Sequence, residues 1–117
     1  PADALDLLDE SIEMTGERNI LFPEFALLKG DLLLALSDAD GAESRFRRAF
    51  EVAGDLGARM PELRAATRLT RLRRAAGERP DETDVLRGVY ETFTEGFDTP
   101  DLVEARTVLD EVDARVM

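Results

Sequence analysis

The 117-residue chain contains no cysteine and no histidine. Without cysteine it can form no disulfide, no thiolate zinc site and no cysteine nucleophile. Without histidine it loses the commonest general base, the commonest transition-metal ligand and the usual near-neutral pH switch. Tryptophan is missing as well, tyrosine occurs once, and runs of Val, Ile and Thr are few, which leaves little to build a sheet from. A single lysine, Lys29, lies inside an apolar stretch. It has no glycine-rich loop before it, as phosphate cradles require. No segment approaches the length of an apolar membrane span, and the N-terminus lacks the basic-then-apolar pattern of a signal peptide. A cytoplasmic setting is the expectation.

What the chain has in quantity is charge, 35% of residues, with a net value of −11. That balance disfavours non-specific binding to nucleic acid or to anionic membranes. Its distribution is uneven: residues 1–44 sum to −9, residues 45–79 to +6 and residues 80–117 to −8. The basic middle holds Arg45, Arg47, Arg48, Arg59, Arg64, Arg68, Arg71, Arg73, Arg74 and Arg79. One reading is a face that pairs with acidic neighbouring helices; the sharper one is a docking patch for an acidic partner.

Apolar spacing and punctuation predict six helical blocks. The first runs from about Ala2 to Thr15, with Ala4, Leu5, Leu8 and Ile12 at three-to-four spacing. The second follows Phe22-Pro23 and extends to about Leu36, apolar on nearly every side, so it is expected at the centre of the packing. Ser37-Asp38-Ala39-Asp40 offers caps for a third helix ending at Gly57, with Ala42, Phe46, Ala49, Phe50 and Ala53 inward. The fourth spans about Pro61 to Ala76, with Leu63, Ala66, Leu69, Leu72 and Ala76 inward. Asp81 and Asp84 suggest a box-like start for the fifth, which ends near Phe93. Thr99-Pro100-Asp101 opens the sixth with a hydroxyl ahead of proline. The connections are short, so neighbours are expected to form antiparallel hairpins.

Residues 23–56 form a 34-residue unit with Gly30 at position eight, Leu33 at eleven, and Ala42, Phe46 and Ala49 at twenty, twenty-four and twenty-seven. Small residues at eight and twenty let two helices approach, a large one at twenty-four fills the space beside them, and a small one lets the next hairpin stack. This spacing resembles the tetratricopeptide repeat. It departs from that pattern at Ala26, Lys29 and Gly54, where Trp, Leu and Pro are usual. Ala4, Leu8, Ser11 and Gly16 echo the second half of an earlier repeat, and Ala66 and Leu69 fit positions eight and eleven of a degenerate one.

The resemblance implies an all-α domain of hairpins stacked as a right-handed superhelix of about six helices. Residues 1–16 would be a partial repeat, 23–56 the best repeat, 59–95 a degenerate one and 99–116 a C-terminal capping helix. The wording of Leu27 to Leu34, Phe46 to Ala53, Leu63 to Thr67 and Tyr90 to Asp101 is similar to the C-terminal repeat region of large bacterial regulators. Those proteins couple a nucleotide cyclase or DNA-binding domain to an ATPase module and then to repeats. The chain would then be the excised tail of such a regulator.

No catalytic or cofactor residues stand out. Asp38-Ala39-Asp40-Gly41 hints at a calcium loop, but that frame puts Leu36 and Arg47 at the first and last ligand positions, and helix capping explains the acids better. Ser11, Ser37 and Ser44 have no histidine to activate them. Asp81/Asp84 and Asp110/Asp113 fall at a helix start and on a surface stripe, not in a cleft. The expectation is a non-catalytic module without cofactor or metal that holds a protein or peptide, or other domains of its parent. By the repeat pattern its concave face comprises Glu24, Leu27, Asp31 and Leu34, with Leu63, Thr67 and Thr70 as candidates in the degenerate repeat and Arg71 alongside. Leu27 and Leu34 also suit a core. The alternative is a structural spacer, and an open stack end around Leu5, Leu8 and Ile12 predicts a homodimer.

Overall fold

The structure is a computed structural model that describes residues 22–76 and 82–116, with side chains at all of these except 82, 83 and 113–116. It contains five α-helices, α1 (Phe22–Ala35), α2 (Ala39–Leu56), α3 (Arg59–Ala75), α4 (Glu82–Glu91) and α5 (Pro100–Val116), and no strand among the described residues. The fold is all-α. The expected block Ala2–Thr15, with Leu5, Leu8 and Ile12, lies outside the described residues, as do Gly77 and Asp81.

Turn chemistry sets the helix ends. Asp38 caps α2, its carboxylate accepting the Gly41 N–H at 2.9 Å. The same turn closes α1: the Asp38 N–H donates to Leu33 O and the Ser37 N–H to Leu34 O, with Ser37 at φ 66°. The α2–α3 turn repeats this pattern. Ala58 donates to Ala53 O and Gly57 to Gly54 O, with Gly57 at φ 69°. Helix α3 starts two residues before Pro61, which therefore sits in the first turn, where its missing N–H has no intrahelical partner to lose. Helix α4 stops at Glu91, short of Phe93, because the Thr92 hydroxyl donates to Val89 O and the last turn tightens. The Thr99 hydroxyl ahead of α5 turns back and donates to Gly96 O at 2.8 Å, tying the preceding turn.

Each helix packs on the next, and α3 also touches both α1 and α5. Helix α2 fills the angle between α1 and α3, and α4 the angle between α3 and α5. Two apolar clusters result. The first is centred on Phe46, with Phe22, Ala26, Leu27, Ala42, Ala49, Val52, Ala65 and Leu69. Gly30 is buried directly beneath the Phe46 ring, and a Cβ at that position would collide with it. The glycine is thus what lets α1 and α2 close around an aromatic. The second cluster joins Leu63 and Ala66 to Leu86, Val89, Leu102, Ala105, Val108 and Leu109. Full burial of one such side chain contributes about 1.5–3 kcal/mol.

Among the described residues the helix with the most neighbours is α3, not the apolar block at residues 23–36. Among the described residues α1 lies at an edge, with Leu28 and Leu34 exposed, as is Leu36 just beyond its end. Helix α3 can sit between four others because Ala65, Ala66, Thr67 and Thr70 are small and buried. The two hydroxyls are satisfied within the helix, Thr67 donating to Leu63 O at 2.8 Å and Thr70 to Ala66 O at 2.9 Å. Of the residues expected inward, Phe50 and Leu72 are only half-buried and Ala76 is exposed.

Candidate interaction groove

Helix α3 carries Arg64, Arg68, Arg71 and Arg74 at spacings of four, three and three, which places them along one face. Carboxylates from both neighbours meet them. Arg64 forks between helices, its NH1 on Glu24 of α1 and its Nε on Asp101 of α5 at 2.9 Å. Arg68 grips both oxygens of Asp31, Nε at 2.8 Å and NH2 at 3.0 Å, while its guanidinium lies 6.0 Å from the centre of the Phe46 ring. Arg71 reaches Glu104 at 3.3 Å and Arg74 reaches Glu111 at 2.7 Å. These four arginines of the basic middle are therefore paired by carboxylates of the helices on either side.

The electrostatics follow from these contacts. Burial disfavours the Arg64 cation, but its hydrogen bonds and charge interactions with Asp101 and Glu24 outweigh that, and its pKa is raised. The hydrogen bond from Arg74 holds the Glu111 carboxyl below its ordinary value despite some desolvation, with the Arg74 and Arg71 charges assisting. On α3's first turn Glu62 moves the other way, because desolvation raises its pKa more than the nearby Arg59 lowers it.

Between α1 and α5 an open groove of about 510 Å³ runs over α3. It is lined by Asp31 and Leu34 from α1, Phe46 from α2, Arg68, Arg71, Leu72 and Ala75 from α3, and Glu104 from α5. Of the residues the repeat pattern puts on this face, Asp31, Leu34 and Arg71 line the groove, and Glu24 lies on the same ion-paired row. Leu27 and Leu63 are core, and Thr67 and Thr70 are buried inside α3, so these four have no surface to offer a partner in this arrangement. Leu34 is the reverse case, since it suited a core but is 44% exposed. Pattern positions alone missed Arg68, Leu72, Ala75 and Glu104. The arginine spacing was the available signal for Arg68; Glu104 required knowing that α5 returns beside α3.

Among the described residues no cluster of three or more acidic side chains is arranged to hold a metal ion. Asp84 and Asp110 are exposed, Asp110 pairing with Arg106 at 3.1 Å, while Asp81 and the side chain of Asp113 lie outside the described residues. No described helix is long and apolar enough to cross a membrane. No protein-family profile, curated protein or solved structure matches the chain.

Proposed function

We propose that this chain is a tetratricopeptide-like interaction module of hairpins stacked as a right-handed superhelix, which holds a protein or peptide in the groove over α3 and performs no catalysis. The observation that carries the reading is the fit of Gly30 under Phe46, flanked by buried Ala42 and Ala49. These are the small and large positions that a repeat of this kind needs for close hairpins and stacking. The row of α1, α3 and α5, each touching the next by skipping one helix, gives further support. The groove offers apolar contact and paired charge, the chemistry of holding rather than of bond-making. Its proposed setting is the cytoplasmic repeat region of a large bacterial signalling or transcriptional regulator, where the partner is a separate protein or another domain of the parent.

A displayed library of random peptides, panned against the full chain and followed by calorimetry on the enriched sequences, tests this. Saturable one-to-one binding that Leu34→Glu removes is the expected result. Enrichment of no peptide by a folded chain would reject it. A second reading, a spacer that self-associates or packs on its parent's ATPase module, is favoured by the exposed Leu28 on α1 and Leu36 just beyond its end. Sedimentation over a wide concentration range tests its self-associating form, which needs a dimer blocked by Leu28→Glu.

A further inference from the structure

The arginine-rich middle of the sequence suggests an acidic partner, yet the arginines that reach the folded groove, Arg68 and Arg71, already hold Asp31 and Glu104. At three positions of the row the arginine lies lower than a carboxylate it holds. Arg64 and Arg68 are each 29% exposed and Arg74 18%, whereas Glu24, Asp31 and Glu111 are 41%, 44% and 46% exposed. Arg71 and Glu104 are level at 47%. The guanidiniums of Arg64, Arg68 and Arg74 form a half-buried positive layer, each with a carboxylate already in hand, and the more exposed Glu24, Asp31 and Glu111 lie at its rim. Five carboxylates face four arginines, so the row itself is net negative, as is the chain at −11. Between the rims, Leu34, Leu72 and Ala75 give the groove an apolar strip.

We propose, building on the interaction reading above, that the occupant of this groove is a basic peptide segment with an apolar anchor. Its leucine-sized side chain sits on Leu34, Leu72 and Ala75. Its lysines or arginines meet Asp31 on one wall and Glu104 and Glu111 on the other. An acidic segment would have to displace these carboxylates from their arginines and leave them facing its own charge, a like-charge contact that costs affinity.

The test uses the folded full chain and two fluorescein-labelled probes, one a leucine peptide with interspersed lysines, the other the same peptide with glutamate at every lysine. Anisotropy titrations in about 0.15 M salt, where fields beyond roughly 8 Å are screened, favour contact over distant attraction. The lysine peptide is expected to saturate and the glutamate peptide to stay free. Replacing Glu104 and Glu111 by Gln should weaken the lysine peptide by about tenfold or more and let the glutamate peptide bind the freed Arg71 and Arg74. Asp84→Asn with Asp110→Asn removes the same charge elsewhere and should change neither. Tighter binding of the glutamate peptide to the unmodified chain would overturn the charge assignment while leaving the interaction module standing. Equal weakening by the two double substitutions would overturn it too, because the attraction would then belong to the whole acidic chain. If neither peptide bound the folded chain, both this proposal and the groove on which it rests would fall together.

Discussion

Helices α1 and α3 invert what their compositions suggest. Residues 22–35 are apolar on almost every side, yet α1 leaves Leu28 and Leu34 at the surface. Residues 59–75 carry six arginines, yet α3 is in contact with every other described helix. Centrality here depends on size and neutralisation more than on hydropathy. Alanine and self-satisfied threonine let backbones approach on several sides, and arginine tolerates a crowded position when carboxylates arrive from both neighbours. Leucine on α1 adds hydrophobicity without ensuring that something lies against it.

The strongest way to test that inversion is to make one substitution in both helices. Leu63 of α3 is fully buried, so Leu63→Ala should cost about 2–5 kcal/mol. Leu28 of α1 is 52% exposed, and Leu28→Ala should fall within roughly 0.5 kcal/mol of the parent. Urea unfolding followed by circular dichroism gives both values. Comparable losses would mean that α1 is covered as completely as α3.

Next in size is a pair of glycines. A Cβ at Gly30 would strike the Phe46 ring, whereas one at Gly88 in α4 would meet nothing within 4 Å. Alanine at Gly88 should therefore stabilise by about 0.5–1 kcal/mol through backbone entropy alone. At Gly30 the same gain is set against overpacking that costs about 1–3 kcal/mol, so the sign reverses. Two thermal melts decide it. A stabilising Gly30→Ala would remove the close approach on which the repeat reading rests.

These two helices also mark what the sequence could and could not convey. Turn signals were legible, because Asp38 and Gly57 act through their own backbone and nearest neighbours. So was the pairing of Gly30 with Phe46, since a small-large spacing of sixteen residues fits one hairpin. Among the described residues hydrophobic density did not single out the helix with the most neighbours, because it says nothing about how many neighbours a face acquires. The groove was half legible. Asp31 and Leu34 followed from position in the repeat and Arg71 from lying alongside it, but Thr67 and Thr70 looked like surface polar residues and are buried with their hydroxyls turned onto their own helix. The carboxylates of α5 could not be placed at all without its packing against α3, more than thirty residues away in sequence.

A smaller effect lies in the pairing that joins α1 to α3. Arg68 makes two hydrogen bonds to Asp31 at the groove's edge, and the carboxylate is 44% exposed, so solvent and salt screen much of the attraction. A double-mutant cycle of Arg68→Met and Asp31→Asn should give a coupling of about 1 kcal/mol at low salt, shrinking markedly at about 1 M. Coupling that survives high salt would point to the packing of Arg68 over Phe46 as its main source.

The smallest expected effect is also the one that best separates α3's two kinds of charge. Arg64, Arg68, Arg71 and Arg74 are neutralised by partners, but Glu62 in the helix's first turn has desolvation as the leading influence, and its pKa is raised. A carboxyl whose folded pKa exceeds its unfolded value binds its proton more tightly in the folded state. Its favourable contribution is therefore present below the unfolded pKa and is lost as pH climbs through the folded one. Glu62→Gln keeps the shape and stays neutral, so it should be more stable than the parent near neutral pH. That advantage should vanish as pH falls below the ordinary glutamate range. Glu111 behaves oppositely. Its depressed pKa means that its pair with Arg74 contributes above the unfolded pKa and is lost as pH falls through the folded value, so Glu111→Gln should weaken the fold most at neutral pH. Chemical denaturation of both variants from pH 3 to 7 reads the two signs directly. Parallel pH dependences would show that a carboxylate beside α3 is governed by the helix as a whole, not by whether an arginine reaches it.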